Sequence, residues 1–191
     1  MKIKSKILII AGSDSSGGAG IQADIKTVTA LGSYAMTAVT AVTAQNTRGV
    51  KLITSIPVKN LSKQINMALE DIGAQAIKIG MLHNANVIKC VYKNLKKYKL
   101  KNIVLDPVMI AKGGTRLINY NSINYLKKMI LPLCDVITPN IPEAEVLTGY
   151  SISNKEDMIK AAKKIMTMGV KNVLLKGGHL KNKMIFDILV S

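Results

Sequence analysis

The sequence predicts an α/β fold in three α-β-α layers, with a mostly parallel central sheet. Short apolar, β-prone runs alternate along the chain with segments of helical periodicity, a pattern typical of parallel sheets that helices cover on both faces. Unusual polar and glycine-rich residues follow six of these runs, where the carboxyl ends of parallel strands would form one cleft. No linker, repeat or low-complexity stretch divides residues 1–191, so we expect one domain.

Seven runs are predicted as strands and six segments as helices. The strands are expected at Ile7–Ala11, Ala35–Ala44, Val50–Ile56, Ala76–Ile79, Ile103–Leu105, Val136–Thr138 and Val173–Leu175. The helices are expected at Ile21–Leu31, Lys59–Ile72, Asn86–Tyr98, Ser122–Ile130, Pro142–Leu147 and Lys155–Met168. Pro57 precedes the second helix, where proline is tolerated, and Asn154 is predicted to cap the last one.

The strongly basic composition raises the question of nucleic-acid binding. The net charge is +16, but only Arg48 and Arg116 are arginines, and the lysines are spread over predicted helix faces. Proteins that read bases favour arginine and aromatic stacking platforms, whereas this chain has no tryptophan and one phenylalanine. We therefore expect no nucleic-acid partner, and the charge would instead help attract a phosphorylated small molecule.

The chain has no segment that predicts a membrane span or a secretory signal. No apolar run reaches the roughly 18 residues of a span, and the run after the basic N-terminus is short and is followed by Asp14. Cys90 and Cys134 lie in unrelated contexts and are predicted to be buried, reduced thiols. These observations predict a cytoplasmic protein without a membrane partner.

The most informative segment is the glycine-rich stretch Gly12–Asp24, between the first strand and the first helix. Such a turn directs free backbone N–H groups at a ligand, and it is longer than a connector needs to be. Gly18–Ala23 matches the dinucleotide pattern G-x-G-x-x-A, but no acidic residue occurs between Asp24 and Glu70 to hold a ribose. A Walker A motif is also absent from the sequence, so we expect another kind of site.

Several other strand ends carry residues with two open interpretations. Asp106 either holds Mg²⁺, directly or through water, or caps its own turn. Asn140 and Glu143 are either oxygen ligands for a magnesium–phosphate complex or a capping box. Lys176 either neutralises phosphate or is a surface residue of a turn. Gln45 is either a bidentate partner for a heterocycle or a turn residue.

These motifs together resemble the hydroxymethylpyrimidine and phosphomethylpyrimidine kinases of thiamine biosynthesis, in the ribokinase-like superfamily. The resemblance covers essentially the whole chain, and its motifs occur in the family's order. They are Gly12–Asp24, Thr43–Thr47, Gly80–Leu82, Leu105–Met109, Thr138–Asn140 through Ala144, and Lys176–His179.

The resemblance implies a fold, a pair of reactions and a set of site residues. Family members use ATP and Mg²⁺ to phosphorylate 4-amino-5-hydroxymethyl-2-methylpyrimidine and then its monophosphate, commonly as homodimers. By this resemblance the pyrimidine would be lined by Gly12, Asp24, Gln45, Met81 and Val108. Magnesium and ATP would be bound by Asp106, Asn140, Glu143 and Lys176, and the metal would lie nearest Asp106 and Glu143, directly or through water.

The resemblance departs at the end of the sequence. Family members continue into a further strand and a G-T-G-C-like turn that opens a helix and supplies an anion hole and a cysteine base. The sequence ends at Ser191 before any such motif, so we expect the base and the anion hole to lie beyond it and predict weak or no turnover. A catalytically impaired remnant that at most binds the pyrimidine, and a pyridoxal kinase-like enzyme, are the alternatives.

Overall fold

The computed structural model describes residues 3–110, 117–179 and 185–191, and its centre is an eight-stranded sheet. The strands are β1 (Lys6–Asp14), β2 (Tyr34–Asn46), β3 (Gly49–Ser55), β4 (Ala76–Ile79), β5 (Ile103–Leu105), β6 (Val136–Ile137), β7 (Asn172–Leu175) and β8 (Ile188–Val190). Their order across the sheet is β3-β2-β1-β4-β5-β6-β7-β8. Only the outer pairs β2–β3 and β7–β8 are antiparallel, so the predicted mostly parallel α/β sheet is confirmed.

All six predicted helices are present. They are α1 (Gly20–Ala30), α2 (Val58–Asp71), α3 (Ala85–Lys97), α4 (Tyr120–Tyr125), α5 (Ile141–Thr148) and α6 (Lys155–Met166). The predicted segment Ser122–Ile130 begins as α4 and continues through a π-helical turn, Leu126–Ile130. Asparagine side chains cap four helices, at Asn84, Asn119, Asn140 and Asn154, and the last of these was predicted.

The helices form two unequal layers. Helices α2 to α6 pack on one face around fully buried strand residues such as Ile10, Ile79 and Leu105. The other face carries α1, whose Ile21 packs against Ile9 and Ala11 of β1. The strand register places Val104 and Val136 on this second face as well. Both remain only partly buried by the described residues, so α1 covers the second face less completely than the alternating pattern predicts.

One strand was not predicted. Strand β8 pairs antiparallel with β7, through Ile188 opposite Leu175 and Val190 opposite Val173. Gly177 allows the segment before β8 to pass close to the end of β7, because a Cβ at position 177 would overlap the carbonyl oxygen of Phe186. The Gly177 N–H donates to Asp187 Oδ1 at 3.0 Å and fixes the approach. The pairing of β8 with β7 depends on the close approach at Gly177, which the sequence pattern alone does not show.

No helix within the described ranges has both the length and the apolar character that crossing a bilayer requires.

Candidate active site

A cavity of about 380 Å³ opens at the carboxyl edge of the sheet. Because β1, β2, β4, β5, β6 and β7 end or turn at this edge, residues far apart in sequence meet there. The cavity is lined by every residue that the sequence singled out for the site, namely Gly12, Asp24, Gln45, Met81, Asp106, Val108, Asn140, Glu143 and Lys176. Asp14 and Thr43, which belong to the quoted motifs but were given no site role, also line the cavity. Lys78 and Leu117 line it too, and sequence reasoning missed both.

The glycine-rich loop is organised by Asp14, which is 3% exposed. Its carboxylate accepts hydrogen bonds from the backbone N–H groups of Ser16, Gly18 and Ala19 at 2.8, 3.1 and 2.8 Å, and from the Ser16 hydroxyl. Burial raises the pKa of Asp14, but these hydrogen bonds together outweigh it and bring the pKa below its ordinary value. The loop is therefore closed around an ionised carboxylate.

Gly20 brings α1 close to the end of β1. Its φ is +56°, and a Cβ there would overlap the carbonyl oxygen of Gly12. Gln22 fastens the same junction, since its Oε1 accepts from the Asp14 N–H at 2.8 Å and its Nε2 donates to Ser13 Oγ at 2.7 Å. The first turn of α1 thus forms a wall of the cavity, and Asp24 lies one turn further on.

Gln45 and Met81 both line the cavity. The Gln45 side chain is held by Thr43, whose hydroxyl donates to Gln45 Oε1 at 3.1 Å. Met81 is 7% exposed and packs with Ala41 and Leu117, with Val108 beside them. Met81 thus belongs to the core and also lines the cavity.

Asp106, Thr138 and Lys176 meet where three adjacent strands end. Lys176 Nζ lies 3.1 Å from Asp106 Oδ1, and the Thr138 hydroxyl donates to the same oxygen at 3.3 Å. The Lys176 N–H also donates to the Pro139 carbonyl at 2.8 Å, which joins the loops after β6 and β7. A cation and a carboxylate therefore face the cavity in fixed positions.

Asn140 and Glu143 form the capping box that was one of the two open interpretations. Asn140 Oδ1 accepts from the Glu143 N–H, and Glu143 Oε2 accepts from the Asn140 N–H, both at 2.9 Å. Glu143 is 5% exposed and still lines the cavity, so the capping box does not remove it from the site. Burial raises the pKa of Glu143 above its ordinary value, Asp106 adds to the effect, and the Asn140 N–H and Lys176 oppose it.

Lys78 is the most informative residue that sequence reasoning missed. Its ammonium lies 2.7 Å from Asp24 Oδ2, inside the cavity. The run Ala76–Ile79 predicts an apolar strand, and a single lysine within it does not indicate a site residue. Only the tertiary structure shows that this side chain reaches the carboxyl edge.

The two cysteines are free and buried, as predicted, and neither lines the cavity. Burial raises the pKa of the Cys134 thiol to about 12, with a smaller contribution from Asp135, and burial also raises the pKa of Cys90. In the described part of the chain, no group of three or more His, Cys, Asp or Glu side chains could hold a metal ion by itself.

Comparison with known proteins identifies the family of this chain. A family model described as phosphomethylpyrimidine kinase matches residues 14–191. The hydroxymethylpyrimidine/phosphomethylpyrimidine kinase of Bacillus subtilis is 49% identical over 174 residues, which are 91% of this chain and 64% of that protein. The corresponding kinase of Haemophilus influenzae is 50% identical, over 93% of this chain and 66% of that protein. The chain thus spans just under two thirds of the length of these two relatives.

Solved structures agree with this assignment. A crystal structure of phosphomethylpyrimidine kinase from Clostridium difficile superposes with a TM-score of 0.91 and 50% identity, over 98% of this chain and 80% of that one. An ADP complex of Bacillus subtilis pyridoxal kinase gives a TM-score of 0.89 and 39% identity, over 97% of this chain and 71% of that one. The fold is therefore ribokinase-like, and the chain belongs to the phosphomethylpyrimidine kinase family.

Proposed function

We propose that this protein uses ATP to phosphorylate 4-amino-5-hydroxymethyl-2-methylpyrimidine and its monophosphate on the way to thiamine diphosphate. The observation that carries the proposal is the single cavity in which all nine predicted site residues meet. Family membership, and the ADP and AMP-PCP complexes of related pyridoxal kinases, support a nucleotide as the second substrate.

The cavity divides into two halves with different chemistry. Gly12, Asp24, Gln45, Met81 and Val108 would line the pyrimidine, because they offer one carboxylate, one amide and apolar walls for a flat heterocycle. The other half would serve the phosphates, through the residues Asp106, Asn140, Glu143 and Lys176. Phosphoryl transfer depends mainly on positioning and on neutralising charge, and both halves are built on strand ends that hold their side chains in place.

Magnesium fits the phosphate half. Asp106 and Glu143 offer hard carboxylate oxygens to the same cavity, and Asp106 contributes to the raised pKa of Glu143. A divalent cation would relieve that repulsion. When bound, Mg²⁺ neutralises and orients the phosphates of ATP. Lys176 would place its charge on the transferred phosphate, and Asp106 would keep the lysine ammonium in position.

No cysteine lines the cavity, so within the described residues none is placed to act as the base expected from the family resemblance. The proposed activity therefore has two separable parts, substrate binding and turnover. Binding follows from the residues of the cavity, whereas the expectation of weak turnover stays a prediction.

The direct test combines calorimetry with a phosphorylation assay on the purified chain. We expect the pyrimidine and a non-hydrolysable ATP analogue each to bind with one site per chain. Mass spectrometry of the reaction with ATP and Mg²⁺ then detects the mono- and diphosphate. Binding without product would support the catalytically impaired alternative. Absence of pyrimidine binding would contradict the proposal altogether.

Pyridoxal is a second candidate substrate. It is favoured by the solved pyridoxal kinases, which match this fold with 36–39% identity and TM-scores of 0.87 to 0.89. Both molecules carry a hydroxymethyl group on a flat heterocycle. A competition titration with both ligands separates the candidates, and we expect the pyrimidine to bind more tightly.

We further propose a homodimer that works in the cytoplasm. The β2–β3 hairpin presents exposed apolar side chains, Val42 at 46% and Leu52 at 62%, which a second copy could cover. Two free thiols and a requirement for ATP suit a reducing, ATP-containing compartment. Sedimentation at several protein concentrations tests the dimer, and a single species at monomer mass would contradict it.

A further inference from the structure

We propose that Lys78 is a positioning residue, which orients the Asp24 carboxylate toward the pyrimidine and thereby sets the affinity for that substrate. This inference rests on the proposed function and assigns a role to a residue that no sequence motif had marked.

Lys78 occupies a position where a lysine is unexpected. It lies in β4, at the centre of the sheet, where its neighbours Ile77 and Ile79 are 1% and 0% exposed. Its register partners are Ile9 of β1 and Val104 of β5, so it shares the sheet face that carries α1. Charged side chains are depleted in central strands, and a break in the local pattern often marks a functional position.

Gly80 opens the path of the lysine side chain to the cavity. Gly80 follows Lys78 by two residues and therefore lies on the same side of the chain. A Cβ at Gly80 would lie 3.0 Å from Lys78 Nζ and 2.9 Å from Ala11 Cβ. The missing side chain thus leaves room for the ammonium to reach the carboxyl edge, where it meets Asp24.

The contact orders one carboxylate oxygen and leaves the other for a ligand. Asp24 Oδ2 accepts from Lys78 Nζ at 2.7 Å, and the two side chains are 20% and 25% exposed. Among the described residues, Asp24 Oδ1 has no hydrogen-bond partner, and Asp24 lines the cavity. An amino or hydroxyl group of the pyrimidine would be the donor that Oδ1 accepts.

A purely structural role is the competing explanation. In that case the ion pair would only fasten α1 to the sheet. Partly exposed ion pairs contribute little to stability, so this explanation accounts poorly for a lysine in a central strand. The two roles differ in what they predict for binding: a fastening contact would affect both ligands, whereas a positioning contact affects the pyrimidine alone.

A double-mutant cycle measured by calorimetry tests the proposal. We expect Lys78→Met to weaken pyrimidine binding about 10- to 100-fold, the usual range for disturbing a charged hydrogen bond. Binding of a non-hydrolysable ATP analogue should change less than about twofold. In an Asp24→Asn background, the same lysine substitution should change pyrimidine binding less than about twofold, because the carboxylate that the lysine orients is already replaced by a neutral amide. Lys101→Met, an exposed lysine before β5, is the matched control.

Each outcome decides the matter. An unchanged pyrimidine affinity in K78M, an equal loss for both ligands, or a full loss in the D24N background would overturn the positioning role while leaving the proposed function intact. A wild-type chain that does not bind the pyrimidine would overturn both. Circular dichroism checks the fold, and if K78M does not fold, Lys78→Gln carries the same comparison.

Discussion

The ammonium of Lys176 lies 3.1 Å from the Asp106 carboxylate, although 70 residues separate the two in sequence. They meet because Asp106 follows β5 and Lys176 follows β7, with β6 between these strands in the sheet. The Lys176 side chain is 42% exposed, and an ion pair that open contributes little to stability. We therefore propose that Lys176 serves a negatively charged ligand more than it serves the stability of the fold.

Replacing Lys176 with methionine should weaken nucleotide binding and leave the fold intact. A charged hydrogen bond contributes about 1.5–3 kcal/mol, so we expect the dissociation constant of a non-hydrolysable ATP analogue to rise about 10- to 100-fold. Calorimetry with the pyrimidine should show a much smaller change. Lys171→Met is the matched control, because Lys171 also pairs with an aspartate, Asp135, but does not line the cavity. An equal loss of nucleotide affinity in both variants would contradict the assignment.

Magnesium-dependent nucleotide binding should weaken as the pH falls, because of Glu143. Its pKa is raised, mainly by burial and further by Asp106, so it becomes protonated at a higher pH than an ordinary glutamate. A protonated carboxyl group is a poor magnesium ligand, and affinity is therefore lost on the acidic side of this raised pKa. Titrations of ADP with Mg²⁺ between about pH 5 and pH 7.5 measure the effect.

Glu143→Gln should remove most of that pH dependence. The amide oxygen can still accept from the Asn140 N–H, so α5 keeps its cap and the thermal unfolding temperature should change little. Glu145→Gln is the control, since Glu145 lies on the same helix and accepts from the Ile152 N–H at 2.8 Å. The E145Q variant should keep the wild-type pH profile. A pH profile that is unchanged in E143Q would show that Glu143 does not serve the metal.

Particular residues show how much of the candidate site can be predicted from the sequence alone. A shared cleft could be predicted because polar residues follow several apolar strands, and parallel strands end at one edge. The full set of site residues, including Asp24 within α1, was implied by the family resemblance. The sequence could not decide between two interpretations of Glu143, because the pattern N-x-x-E is compatible with a helix cap and with a set of oxygen ligands. The structure shows that the cap forms and that it lies at the wall of the cavity. Lys78 was missed because its function depends on Asp24, 54 residues away, and on the space that Gly80 leaves.

Gly20→Ala should destabilise the protein by more than the cost of placing alanine in a left-handed backbone conformation. Gly20 has a φ of +56°, and a Cβ there would also overlap the Gly12 carbonyl oxygen, which belongs to the backbone and cannot rotate away. Gly73→Ala is the matched control, with a φ of +73° and no atom within 4 Å of the added Cβ. We expect about 1 kcal/mol of destabilisation for G73A, from the left-handed conformation alone. For G20A we expect about 1–3 kcal/mol more, in urea unfolding. Similar losses in the two variants would contradict the close approach of α1 to β1.

Asp14→Asn should destabilise the protein at neutral pH and lose that effect in acid. The Asp14 carboxylate accepts from the N–H groups of Gly18 and Ala19 through one oxygen, and an amide NH₂ placed there would face two donors. The pKa of Asp14 is lowered in the folded state, because its hydrogen bonds together outweigh the opposing effect of burial. Its contribution is therefore complete above the ordinary value of 3.8 and is lost as the pH falls through the lowered folded value.

The difference in unfolding free energy between wild type and D14N should be about 2–3 kcal/mol at pH 7 and should shrink below about pH 4. Asp71→Asn, at the exposed end of α2, is the control for removing one negative charge, and it should change stability by less than about 0.5 kcal/mol. Because Asp14 closes the glycine-rich loop that carries Asp24 into the cavity, D14N should also weaken pyrimidine binding. A D14N variant with wild-type stability and affinity would show that the loop keeps its shape without this carboxylate.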